Sequence, residues 1–86
     1  MITNPTDTFA KLREILAEHL WIEQGTITPE SNFRDDLGVD SLDAVELAMS
    51  VEANWNLSRE IAEAEVIACE VVTDAVKLID SIKINP

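Results

Sequence analysis

The chain has 86 residues, of which 47% are apolar, with seventeen acids against six Lys and Arg for a formal charge of −11. That size bounds one small domain, 1–86, with a modest core and no deep enzyme cleft, and the apolar content is enough for it to fold. No apolar run approaches the ~18 residues of a membrane span, Cys69 alone cannot form an internal disulfide, and Met1–Asp7 shows no signal-peptide pattern, so a cytoplasmic monomer is expected.

A first helix is predicted just after Pro5, capped by Thr6 or Asp7. Phe9, Leu12, Ile15, Leu16, His19 and Leu20 recur on one side, with Lys11, Glu14 and Glu18 opposite. Gly25 is expected to stop it. His19 lies at the edge of the apolar arc and reads as a partly buried packing residue. A metal-ligand role is disfavoured because no second His exists to share an ion. Glu23 to Val39 is a seventeen-residue connection punctuated by Gly25, Pro29, Asn32 and Gly38. A loop of that length must be pinned in so small a domain, and Ile27, Phe33, Leu37 and Val39 are available to pin it.

A second helix is predicted over Ser41–Trp55, with Asp40 as cap and Asp43 in a box-like relation to it. A third, short one is predicted over Arg59–Ala68 and a fourth over Val71–Ile82, where Val72, Val76, Ile79 and the stem of Lys83 form a stripe. No segment alternates convincingly as a strand. The expected architecture is all-α: a small four-helix bundle, three longer helices and one short, with a long ordered loop between the first two.

At about 100° per residue from Leu42, Leu47, Val51, Ala44, Trp55 and Ala48 fall between about 140° and 240° and make a core stripe. Leu42, Val45 and Met49 form a second apolar strip, edged by Asp43, Glu46 and Glu52. Periodicity leaves two readings open: a wide buried face with Glu52 reaching out to water, or a docking strip with carboxylates for orientation. Between Glu23 and Glu70 twelve acids face only Arg34 and Arg59. Such a field repels nucleic acid and anionic membrane and steers basic partners toward this segment.

Ser41 begins the second helix with carboxylates before and after it. Negative charge disfavours an alkoxide, the Gly-x-Ser-x-Gly elbow is absent, and the one His lies on another helix. The chain is therefore read as a non-enzyme whose serine carries something. An EF-hand register that places Gly38 in the glycine slot puts Phe33, Leu37 and Ala44 at ligand positions, so no resident metal is expected. Weak divalent binding that relieves self-repulsion is expected.

The run Asp36-Leu37-Gly38-Val39-Asp40-Ser41-Leu42-Asp43-Ala44-Val45-Glu46-Leu47-Ala48-Met49 resembles the acyl carrier protein signature without a break. Weaker likeness at Ile27-Thr28-Pro29-Glu30, Phe33 and Val72-Thr73-Asp74-Ala75-Val76 extends it across most of the chain. The resemblance implies that Ser41 receives a 4′-phosphopantetheine arm from coenzyme A through a separate Mg²⁺-dependent holo-acyl-carrier synthase. The arm would then hold an acyl chain as a thioester for enzymes of fatty-acid, polyketide or specialised lipid biosynthesis. Gly38, Asp40 and Leu42 would frame the attachment site. Asp36, Asp40, Leu42, Asp43, Val45, Glu46, Met49 and Glu52 would meet basic docking surfaces of those enzymes. The resemblance also implies an acyl pocket formed by Leu47, Val51, Trp55, Ile61, Ala68, Val72 and Ala75.

Departures narrow the reading. After Met49, Ser50-Val51-Glu52-Ala53-Asn54-Trp55 replaces the acidic run of housekeeping fatty-acid carriers, the Pro that follows it there is missing, and the third helix reads as longer. This points to a specialised, stand-alone member. An aminoacyl or peptidyl carrier of the same fold is the alternative, followed by an acidic helical adaptor without the arm. Cys69 is expected to be mostly buried near the third helix.

Overall fold

Leu12, Leu16 and Ala17 give helix α1 (Pro5–Leu20) one buried face, which packs against helices α4 (Val72–Ile82) and α2 (Ser41–Asn54). Helix α3 (Glu63–Ala68) completes the bundle by packing on α2, and a 3₁₀ turn spans Gln24–Thr26. This computed structural model describes residues 5–84. The capping role expected of Thr6 or Asp7 rests on side chains outside those described. Among the described residues there is no strand, only isolated bridges pairing Asn32 with Val71 and Leu57 with Lys83. No helix among the described residues is long and apolar enough to cross a membrane.

The core joins Leu12 and Leu16 of α1, Leu47 and Val51 of α2, Val72, Val76 and Ile79 of α4, and Ile27 and Val39 of the long loop. That loop is ordered because α4 and its approach supply partners for its backbone. Phe33 N–H donates to the Glu70 carbonyl at 2.9 Å, and Val72 N–H donates to Ser31 at 3.0 Å. Thr73 bonds the Pro29 carbonyl with both its N–H and its hydroxyl. Ile27 and Val39 are buried, while Phe33 and Leu37 pack half-buried against the core.

Two element boundaries depart from the sequence reading. Helix α1 ends at Leu20 rather than at Gly25: Ile22 N–H bonds the Ala17 carbonyl while Trp21 takes φ +59°. That is a left-handed helix end of the kind glycine fits most easily, and Trp21 is 93% exposed. Helix α3 begins at Glu63, not Arg59, and is shorter than expected rather than longer. The chain from Arg59 to Ala62 is non-helical and is held by side chains instead. The Arg59 guanidinium makes a two-point bond to Glu65 (2.7 and 2.8 Å), and Ile61 N–H donates to Glu52 Oε2 at 2.9 Å.

The end of α4 is tied to the start of α1. Lys83 Nζ lies 2.8 Å from Asp80 Oδ1 and donates to Thr8 Oγ1 at 2.9 Å, and the buried Thr8 hydroxyl donates to Asp80 at 2.6 Å. The stem of Lys83 thus joins the α4 stripe while its charge is satisfied.

Two outcomes follow for urea unfolding. Leu16→Ala, at a 1%-exposed position, is expected to lose about 2–5 kcal/mol. Trp21→Gly is expected to gain up to about 1 kcal/mol, since relief of the left-handed strain exceeds the added freedom of the unfolded chain.

Candidate functional site

The start of α2 is fixed by reciprocal capping. Asp40 is extended (φ −100°, ψ −175°), and its Oδ1 accepts from Asp43 N–H at 2.8 Å while its own N–H donates to Asp43 Oδ2 at 3.2 Å. The Asp40 N–H bond, followed by His19, holds the Asp43 carboxyl below the usual carboxylate range. Asp40 is the cap, so the hydroxyl of Ser41, exposed at the first helical position, is free of that task. The N–H groups of Ser41 and Leu42 precede the first intrahelical bond, Ala44 N–H to Asp40, and face outward at the positive end of the helix dipole.

The approach to Asp40 is a compact turn. Asn32 Oδ1 accepts from Arg34 and Asp35 N–H, both at 2.9 Å, and Asp36 Oδ2 accepts from Asn32 N–H at 2.7 Å. Gly38 closes the turn with φ +68°, and an added Cβ would meet nothing within 4 Å. Backbone angle rather than space is what asks for glycine.

The two readings of the α2 surface resolve in favour of an open strip. Leu42, Val45 and Met49 are 66%, 47% and 63% exposed, and Ile67 of α3 is 63% exposed. Asp43 and Glu46 flank the strip, and Asp36 and Asp40 are exposed near its head. Glu52 differs. Half-buried and bonded to Ile61 N–H, it anchors the segment before α3, so it is no free docking charge.

Between α2 and the segment ending in α3 lies a cleft of about 420 Å³, running from Asp40 and Ser41 toward Leu16 and Ile79. Of the residues that the resemblance assigns to an acyl pocket, Leu47, Val51, Ile61 and Ala75 line this cleft. Trp55, Ala68 and Val72 do not. Trp55 is half-buried at the far end of α2 under Lys11, whose ammonium lies 4.9 Å from the ring centre. Ala68 faces outward, and Val72 is sealed in the core at 0% exposure. Phe33, Val66, Cys69 and Leu78 line the cleft in addition. Val66 carries no local signal of this role, and Phe33 reads from the sequence as a pin for the long loop rather than as cleft lining. Cys69 is half-buried and donates to the Glu65 carbonyl at 3.3 Å; burial, with Asp74 and Glu65 nearby, pushes its thiol pKa up.

An exposed hydroxyl at a helix N-terminus, unused backbone donors, an unobstructed glycine turn and an adjoining apolar cleft together fit a phosphodiester-linked arm. The sequence model of the family described as "Phosphopantetheine attachment site" matches residues 10–79. The solution structure of the apo doublet acyl carrier protein from prodigiosin biosynthesis matches with a TM-score of 0.80 at 20% identity, over 99% of this chain and 41% of that one. The four-helix fold is shared with that carrier.

The Arg59–Glu65 clamp sets a pH dependence. Bonding to Arg59, then to Ala62 N–H, lowers the Glu65 pKa from 4.5 to about 2. Its contribution is whole above the unfolded value, near 4.5, and is lost as pH falls toward 2. Thermal melts of Glu65→Gln are expected to lose that part of the acid-limb slope and to keep the rest.

Proposed function

The chain belongs to the phosphopantetheine-attachment family, and on that premise we propose that Ser41 bears the 4′-phosphopantetheine and that the chain presents acyl groups to enzymes with basic docking surfaces. Such domains carry groups and leave catalysis to others. The observation that carries the reading is the exposed, non-capping Ser41 hydroxyl at the mouth of an apolar cleft.

The arm, when attached, supplies a thiol that holds the carried group as a thioester. The chain's own residues do the rest. The N–H groups of Ser41 and Leu42 and the α2 dipole favour a phosphodiester at this position. Asp40 keeps its Oδ1 on Asp43 N–H, which turns that oxygen away from an anion. Leu42, Val45 and Met49 offer apolar contact to a visiting enzyme, while Asp36, Asp40, Asp43 and Glu46 speed and orient its approach. Leu47, Val51, Ile61 and Ala75 exclude water from an apolar chain, at roughly 0.8 kcal/mol per buried methylene. The apolar lining favours an acyl over an aminoacyl cargo. The Ser50–Trp55 segment supports service to a specialised lipid or polyketide route rather than general fatty-acid synthesis, within a single domain in the cytoplasm.

The test is intact mass after incubation with coenzyme A, Mg²⁺ and a broad-specificity phosphopantetheinyl transferase. Wild type is expected to gain one phosphopantetheine and folded Ser41→Ala none. Labelling elsewhere, or no labelling of folded wild type, would overturn the assignment. Loading longer acyl chains is expected to raise the melting temperature stepwise until the cleft is full.

A further inference from the structure

His19 has an environment that helical periodicity did not foresee. Its side chain is 19% exposed, and Nε2 stands 3.3 Å from Asp43 Oδ1 and 3.4 Å from Glu46 Oε2. Helix α1 thus supplies an imidazole, and α2 supplies two carboxylates three residues apart on one face. All three ligand atoms lie within 4.8 Å of one another.

An ion bound at about 2.0–2.2 Å from N and O donors in tetrahedral geometry needs those donors about 3.4 Å apart. Both separations from His19 already meet that requirement. The third is adjustable, because the Glu46 side chain is 49% exposed and can change rotamer. Asp43 is better fixed. Its Oδ2 takes the Asp40 N–H, so the α2 cap also orients Oδ1 toward His19, as outer partners orient metal ligands.

We propose that His19, Asp43 and Glu46 bind a divalent transition-metal ion of the Zn²⁺ class, bridging α1 and α2, with water completing the coordination. Imidazole beside carboxylates suits such ions, whereas Mg²⁺ and Ca²⁺ prefer all-oxygen sites. The missing second His is compensated by two carboxylates whose charges balance the ion. The ion would also cancel negative charge on the docking strip and slow basic partners. The site itself needs no arm on Ser41, so its test does not depend on the carrier reading.

Tag-free apo protein is titrated with ZnCl₂ by calorimetry in a non-chelating buffer, with parallel melts in ZnCl₂ and MgCl₂. One Zn²⁺ per chain is expected, and His19→Gln is expected to weaken it at least about tenfold, the lower end of what even outer-shell losses cost. Its response to MgCl₂ should match wild type, and Cys69→Ser should bind Zn²⁺ normally. Equal Zn²⁺ affinity in wild type and His19→Gln would overturn the site, as would equal melting shifts with the two ions. Should His19→Gln not fold, ¹⁵N resonances of the wild-type His19 ring decide: a Zn²⁺-dependent shift of Nε2 supports ligation, and an unmoved Nε2 refutes it.

Discussion

The pairing of the long loop with the start of α4 is the constraint from which the rest of the structure follows. Phe33 with Glu70, and Ser31 with Val72, satisfy loop backbone that would otherwise be stranded over an apolar core. Because the loop is held there, Ile27 and Val39 can enter the core beside Leu16 and Val72. The turn from Asn32 to Gly38 then delivers Asp40 to the head of α2 in an extended conformation. A small bundle with little area to bury can order so long a connection only by giving both its apolar side chains and its peptide groups partners.

From that anchored turn the site is built by division of labour among neighbours. Asp40 and Asp43 satisfy one another's backbone N–H, so neither the cap nor the first turn needs Ser41. The serine is therefore spare, exposed and at the positive end of a dipole. The carboxylates around it are costly to crowd together, with −11 net charge on 86 residues. Several are put to structural use. Asp36 closes the Asn32 turn, Glu52 holds Ile61, Glu65 holds Arg59, and Asp74 receives the N–H groups of Glu70 and Val71. The last pair holds the Asp74 carboxyl below its ordinary pKa.

The short α3 is held differently from the other helices. It has no fully buried residue, and its approach is fixed by the Arg59–Glu65 and Glu52–Ile61 contacts, with Ile61 half-buried against the core. The cleft lies beneath it, with Val66 and Cys69 of its last turn and cap in the lining. A wall held by polar clamps opens at lower energy than one held by buried side chains.

The sequence by itself determined what depends on residues three or four apart. The α2 cap at Asp40, the apolar strip at Leu42, Val45 and Met49, the buried stripe of α4 and the fourteen-residue motif around Ser41 were all legible, because helical periodicity and capping are local. Only the tertiary structure decided whether the α2 strip was buried or open, since that depends on where α3 lies. It likewise moved the α1 stop from Gly25 to Trp21, shortened α3, recruited Glu52 as an anchor and removed Trp55, Ala68 and Val72 from the cleft. It set His19 of α1 against Asp43 and Glu46 of α2, 24 residues beyond it in the case of Asp43. The α1 stop rests on the Ile22–Ala17 bond and the Trp21 backbone angle, which no sequence pattern flags, and the others follow from contacts between different elements, whose geometry no single-helix pattern encodes.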